Sequence, residues 1–280
     1  MLSLALVTSA LAVVSCDVVI PELPETELEN PIDPETPETY VAPETTIVSG
    51  PEDGSTISTS TTTITFDSNA DLYQWNLRGT DWNSAGWSDW SATTSATLEY
   101  LNEGEYDFLV RSAYDPGEGE PTAIDTSAAV VTFFVDAIAG PALRMSPLLI
   151  EPETGVGFEI EIIAEEVTDL MAVKAVISFD PSLMTVEGIQ EGDFLTSTGG
   201  SLASYFDVDT DAGTIEINIG TAAGSPVGVT GTGTVATLQC LVTSTTDQVL
   251  EFDQALTVLR DADNQPITIT SLVAARVRVQ

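Results

Sequence analysis

Forty-four carboxylates, no histidine and two cysteines set the chemistry open to this 280-residue chain. Without histidine there is no Ser-His or Cys-His nucleophile pair and no His-containing zinc site. Paired carboxylates remain, and glycoside hydrolysis is the reaction they run. That reaction needs two acids held a fixed distance apart across a cleft, and 44 acids supply some pair in any fold. The inventory therefore names no catalytic residue, and no enzyme is expected. Asp207-Val-Asp209-Thr-Asp211-Ala-Gly213 sets oxygens at alternate positions, like the opening of a calcium loop. An EF-hand asks for glycine at the sixth place and glutamate at the twelfth, where Ala212 and Asn218 stand. The stretch reads as an acidic β-hairpin tip, and Asp261-Ala-Asp263-Asn264 as a turn. No metal site and no cofactor is expected. Seven Lys+Arg leave a net charge of -37. That balance excludes a phosphate-binding surface, hence nucleic acid, and adsorption to anionic lipid. It suits solubility, and in salt its self-repulsion is screened.

The two cysteines fall in different contexts and make no disulfide framework. Cys16 closes MLSLALVTSALAVVSC, an apolar run too short to span a bilayer but fit for the core of a secretion signal. Val13-Val14-Ser15-Cys16 resembles the lipobox of bacterial lipoproteins, which implies cleavage before the cysteine and a lipid on its thiol. One departure is that no Lys or Arg precedes the run; the first positive charge is Arg78. An ordinary signal peptide with an incidental cysteine is the other reading. The expected segments are a signal peptide over 1–16 and a linker over 17–46. From Asp17 to Glu44 the linker holds nine acids, six prolines and no base. It cannot bury enough surface to fold, and proline and like charge keep it extended. It would hold the rest of the chain roughly 80 Å from its anchor. The expected location is therefore secreted, lipid-anchored to the membrane and exposed at the cell surface, with the lipid as the only membrane contact.

Two all-β domains must follow. Over 47–136, Ile64 and Phe66, then Tyr73, Trp75 and Leu77, then Tyr106, Phe108 and Val110 alternate with polar residues. Gly/Asp/Asn/Pro clusters separate the strands, and about seven strands in ninety residues predict a sandwich. Leu101-Asn-Glu-Gly104-Glu-Tyr106-Asp-Phe108 resembles the strand of immunoglobulin-like and fibronectin type III domains in which a corner tyrosine bonds back to the preceding loop. Trp75 would then be the core tryptophan. Trp87-Ser-Asp-Trp90-Ser91 spells the WSxWS signature of cytokine receptors, but it precedes the corner tyrosine where theirs follows it. Trp82, Trp87 and Trp90 lie within nine residues. Half-buried packing and a sugar-stacking platform are the two readings of that cluster.

Over 141–280 the alternation sorts two faces. Val173, Ala175, Ile177 and Phe179 point inward, as do Ile215, Ile217 and Ile219, and Ala236, Leu238, Cys240 and Val242. Cys240 is thus a small buried hydrophobe. Val273, Ala275, Val277 and Val279 form the inward side of one closing strand. About nine strands predict a two-sheet jelly-roll sandwich. Asp180-Pro181 breaks one of them, since proline donates nothing to a ladder, and the chain must turn before restarting at Leu183.

Phe179-Asp-Pro-Ser-Leu-Met-Thr-Val-Glu-Gly-Ile189, Glu191-Gly-Asp-Phe-Leu195 and Gly231-Thr-Gly-Thr-Val-Ala-Thr-Leu238 occur in an order and spacing that resemble cohesin modules of cellulosomes. The resemblance spans the C-terminal half. It implies a non-catalytic nine-stranded jelly roll that binds dockerins, small helical modules whose own loops carry Ca²⁺. By position, the implied partner-binding residues are Ala172, Lys174, Val176, Ser178, Tyr205, Asp207, Asp209, Glu216 and Asn218. Many enzyme-recruiting cohesins carry an Asn/Asp pair where this chain has Ala172 and Lys174, its only lysine. The expected function is a cell-surface adaptor that receives dockerin-bearing partners, with polysaccharide degradation as its setting. The alternative is a carbohydrate-binding surface protein that uses Trp82, Trp87 and Trp90.

Overall fold

A computed structural model describes residues 40–79, 86–115, 121–222 and 227–280. The signal segment with Cys16, nearly all of the linker, and Trp82 lie outside the described residues. No helix among the described residues is long and apolar enough to cross a membrane.

The first sandwich contains β1 (Thr45–Ser49), β2 (Ser55–Ile57), β3 (Thr62–Ser68), β4 (Leu72–Gly79), β5 (Ser95–Leu98), β6 (Gly104–Tyr114), β7 (Thr122–Ile124) and β8 (Ala129–Val135). One sheet runs β1-β3-β5, the other β2-β8-β6-β4 with β7 beside β6. The alternating residues close the core between them: Ile64 and Phe66 from one sheet, Phe108, Val110, Val131 and Phe133 from the other. Trp75 is half-buried and stacks on Phe108, ring centroids 5.9 Å apart. The Tyr106 hydroxyl donates to the Asn102 carbonyl at 3.2 Å, back across the preceding loop. β2 and β8 pair in parallel.

The entry to this sandwich hangs on Asp125, a buried carboxylate. It accepts hydrogen bonds from the Thr45 amide (3.0 Å) and hydroxyl (2.7 Å), and from the Ser127 amide (2.8 Å) and hydroxyl (2.9 Å). Burial pushes its pKa up, but these four donors together bring it below the ordinary aspartate value. A depressed folded pKa stabilises above the unfolded value of about 4 and is lost as pH falls through the folded one. Asp125→Ala is therefore expected to destabilise this sandwich by about 1–3 kcal/mol at neutral pH, by stranding the Thr45 donors. The deficit should shrink below about pH 4, where the wild type loses the same contribution. All four tryptophans belong to residues 75–90, so their fluorescence during urea unfolding reads this domain alone.

The second sandwich contains β9 (Ala142–Ser146), β10 (Leu149–Ile150), β11 (Gly157–Ser178), β12 (Met184–Glu191), a 3-10 turn at Phe194–Thr196, β13 (Leu202–Asp209), β14 (Thr214–Thr221), β15 (Val229–Val242), β16 (Gln248–Phe252), β17 (Val258–Asp261), β18 (Pro266–Ile267), β19 (Ser271–Val273) and β20 (Ala275–Val277). The expected all-β, jelly-roll-like fold is present. Its count is twelve strand segments among the described residues rather than nine, because strands divide where they change sheet. VAARVRV, read as one strand, parts at Ala274: β19 pairs β9, while β20 pairs β16 and β10.

GFEIEIIAEEV and MAVKAVIS, each with the alternation of a strand of its own, are in turn one strand, β11. The first half of β11 pairs β15 and β9; its second half pairs β14 on one side and β16 and β17 on the other. The bend between the halves sits where Glu166 and Asp169 take φ of 47° and 56°. Two threonines of β15 satisfy the amides that leave the ladder there. Glu166 N–H donates to Thr232 Oγ1 at 3.0 Å, and Asp169 N–H to Thr230 Oγ1 at 3.1 Å. The Gly231–Leu238 motif thus aims the second half of β11.

Asp180-Pro181 turns the chain across the sandwich, as its chemistry requires. β11 ends at Ser178 in the sheet with β14, and β12 begins at Met184 on β15. Asp180 Oδ1 accepts from the Ser182 amide (2.9 Å) and hydroxyl (2.6 Å) to hold the turn. Gly213 locks the β13–β14 hairpin beneath it. Its φ is +66°, its carbonyl accepts from Phe179 N–H at 3.0 Å, and a Cβ there would stand 2.6 Å from the Phe179 oxygen. Cys240 is 2% exposed in the core, and burial pushes its thiol up to about 12.

Candidate functional site

The hydrogen-bonded order β17-β11-β14-β13 lays out one continuous outward face. Register fixes its rows. Val258, Lys174, Asn218 and Tyr205 lie side by side across the four strands. One row toward one end come Arg260, Ala172, Gly220 and Ala203. One row the other way come Val176, Glu216 and Asp207, and then Ser178, Thr214 and Asp209. The alternate residues Val173, Ile177, Ile215, Ile217 and Ile219 are buried against the opposite sheet. They hold the outward set flat and fixed.

All nine residues expected to bind a partner therefore occupy one face, and eight of them reach solvent in part or whole. Tyr205 is a large aromatic standing out from the face, at 58% exposure. Val176 is the correction: it is 5% exposed and offers a partner nothing. The chain between β16 and β17 leaves the ladder at this point and closes on it. Val176 N–H donates to Thr257 Oγ1 at 3.3 Å, and its carbonyl accepts from Asp253 N–H at 2.7 Å. Alternation assigns a face, but it does not say what lies over it.

Charge is unevenly spread across the surface. Glu216 opposes Asp207 in the register, yet its carboxylate turns the other way. It accepts from Asn218 Nδ2 at 2.6 Å and pairs with Lys174 Nζ at 3.2 Å. The Asn218 amide and then Lys174 hold it below the usual carboxylate range. Asp209 Oδ1 accepts from the Asp211 and Ala212 amides, both at 2.9 Å, so the sequence read as a hairpin tip uses its carboxylate as a turn cap. At the other end the small side chains of Ala172, Ala203 and Gly220 leave an open depression of about 480 Å³. Lys174, Tyr205, Val258 and Arg260 stand around it.

Val258, Arg260, Ala203 and Gly220 were not anticipated as part of this face. Gly220 and Ala203 are neighbours of predicted residues on known strands, so counting two further along each strand finds them. Val258 and Arg260 needed the pairing of β17 with β11, which no local pattern announces. The only local signal is Leu259, buried between two outward neighbours.

The tryptophan cluster has its own arrangement. The Arg111 guanidinium lies 4.1 Å from the Trp87 ring centroid and 5.7 Å from that of Trp90. Gln74 Oε1 accepts from Arg111 Nε (3.0 Å) and Nη2 (2.8 Å), while Gln74 Nε2 donates to the Ser88 carbonyl at 2.6 Å. Both indoles are half-buried, and a guanidinium takes up one face of Trp87.

Residues 151–279 match the family model described as the cohesin domain. No curated protein matches the chain. Among solved structures, similar chains include a non-cellulosomal cohesin from the hyperthermophilic archaeon Archaeoglobus fulgidus, at 14% identity and a TM-score of 0.41, covering 50% of this chain and 90% of that one. A cohesin from Clostridium acetobutylicum is 18% identical, with a TM-score of 0.42, covering 50% of this chain and 91% of that one. The OlpA cohesin–dockerin complex from Clostridium thermocellum contains a chain 18% identical, with a TM-score of 0.41, covering 50% of this chain and 98% of that one.

Proposed function

We propose that the cohesin domain over residues 151–279 receives dockerin modules on the β17-β11-β14-β13 face, and that the chain is a non-catalytic surface adaptor. The observation carrying this reading is the register, which gathers residues from four strands onto one exposed surface around an open depression. A sheet face backed by an isoleucine core needs little ordering when it binds, which favours association. A standard interface would bury about 800 Å² of it. The calcium belongs to the partner, so a chelator abolishes binding by unfolding the dockerin loops while the receptor stays folded. Anchoring through a lipid on Cys16, with the acidic linker as its tether, rests on the residue pattern of the first 46 positions.

The test is isothermal titration of the full chain with calcium-loaded dockerin modules, with and without chelator. Failure to bind any of them under any calcium condition would end the adaptor reading. Tyr205 supplies the sharper prediction. It is a large, exposed aromatic beside Asn218 on a fixed strand, the residue type that most often dominates interfaces. Tyr205→Ala is expected to weaken binding about 30-fold, or about 2 kcal/mol. The melting temperature of the domain should not move, since the ring packs into no core.

A further inference from the structure

Seven cations serve this chain against 44 acids, and four of the seven are committed to contacts elsewhere. Arg111 stacks on tryptophan, Arg144 pairs with Glu165, Arg278 with Glu151, and Arg276 lies over Tyr100. Yet two of the remaining three, Lys174 and Arg260, flank the same depression, and among the described residues no Asp or Glu lines it. Arg260 reaches it because it stands opposite Ala172, one row from Lys174. Its Nη1 donates to the Asn264 carbonyl at 2.9 Å, which braces the guanidinium without neutralising it. Lys174 does have an ion-pair partner in Glu216, but both side chains are well exposed. Such a pair contributes little to stability, so the ammonium can be recruited by a better-placed anion. Beyond Glu216 the face turns acidic, with Asp207 and Asp209.

We propose that the Gly220 depression is the specificity pocket of this face and takes a carboxylate side chain, Asp or Glu, from the docking partner, gripped between Lys174 and Arg260. This rests on the dockerin reading and adds a preferred partner chemistry to it. A depression of about 480 Å³ is roomy enough for a short side chain and its water. Filling it with an uncharged residue would cover Arg260 without a counter-charge and leave Lys174 only its Glu216 partner, and a Lys or Arg there would be repelled. The partner is therefore selected by repulsion of the wrong charge as much as by attraction of the right one. The acidic rows at the other end orient it, because a partner carrying one acid and one base at matching separation fits in one direction only.

The experiment is selection from a displayed library of calcium-loaded dockerin modules, randomised at exposed helix positions. The baits are the full wild-type chain and its Lys174→Glu/Arg260→Glu double variant. Binders to the wild type should be enriched for Asp or Glu at one position. They should lose about 30-fold or more in affinity for the double variant, which should instead select Lys or Arg at that position. Both substituted side chains are exposed, and an unchanged circular dichroism melt shows that the variant is folded. If the melt shifts, Arg260→Gln with Lys174→Gln replaces the pair, and the acidic preference should disappear. Binders without an acidic preference, or binders indifferent to the double variant, overturn the proposal while the dockerin reading stands. A library that yields no binder to the wild type overturns the dockerin reading and this proposal together.

Discussion

Arg144→Ala is expected to cost the C-terminal sandwich about 3–5 kcal/mol, because it removes one partner of a buried ion pair. Arg144 and Glu165 are each 7% exposed and face one another across β9 and β11, with Arg144 Nε 2.5 Å from Glu165 Oε2. The second oxygen of Glu165 accepts from Thr232 Oγ1 at 2.6 Å, and that hydroxyl in turn accepts the Glu166 amide at the bend of β11. Taking away the guanidinium leaves a desolvated carboxylate and slackens the chain of hydrogen bonds that holds the bend. Glu103 of the first sandwich adds to the effect. Burial raises its pKa, as does Glu165, while Arg144 works against the rise. A raised folded pKa favours folding below the unfolded value and opposes it as pH climbs through the folded one. The variant should therefore lose more stability at pH 7 than at pH 4. Arg144→Met combined with Glu165→Leu should be far less harmful than Arg144→Ala alone, because it leaves no charge unpaired. Calorimetric melting of the three proteins at both pH values checks this. A single variant as stable as the wild type would remove the pair from any structural role.

Gly192→Ala and Gly233→Ala should each destabilise the same sandwich by about 3 kcal/mol, at the upper end of what overpacking costs. Both glycines belong to the motifs by which the C-terminal half resembles cohesins, although they stand 41 residues apart in sequence. The fold brings the motifs together. Gly192 N–H donates to the Val235 carbonyl at 3.0 Å, and a Cβ on Gly192 would stand 2.1 Å from the Thr234 oxygen. A Cβ on Gly233 would stand 2.4 Å from the Phe194 ring. Neither glycine needs a left-handed backbone; each gives room for the 3-10 turn to sit on β15. Phe194 and Leu195 of that turn are buried, so displacing it opens the core. Chemical denaturation followed by far-ultraviolet circular dichroism measures the loss, and an unchanged midpoint for either variant would disprove the close approach.

Alternation was a sound guide wherever a strand stays in one sheet. The inward residues of β14 and β15 and the outward residues of β13 are placed as the period of two requires. It was silent where the chain changes sheets. Glu166 and Asp169 adopt positive φ without being glycine, and Ala274 parts two strands without any turn residue. Such bends are bought by distant hydroxyls and by sheet geometry, which a local pattern does not contain. The same limit accounts for Val176, covered by a turn about eighty residues later, and for Arg260, delivered by a short strand from equally far along the chain. The residues that the cohesin resemblance implied share one side of these strands because local parity sets the side each takes, and Val176 shares it while being covered. The depression in that face was not legible, because it arises from three small residues on three strands.

The parallel pairing of β2 with β8 bears on how the first sandwich would carry a load. Ser55, Thr56 and Ile57 lie opposite Phe133, Phe134 and Val135, running the same way. Backbone bonds from Gly54 N–H to the Thr132 carbonyl (2.7 Å) and from Asp136 N–H to the Ile57 carbonyl (2.9 Å) extend the seam at both ends. A pull applied ahead of Ser55 and resisted beyond Val135 acts along these strands, so the bonds across the seam are strained in shear and must yield together. An antiparallel pair pulled at one end would open like a zip, bond after bond. A module wired in this way resists stretching far better than its modest size suggests.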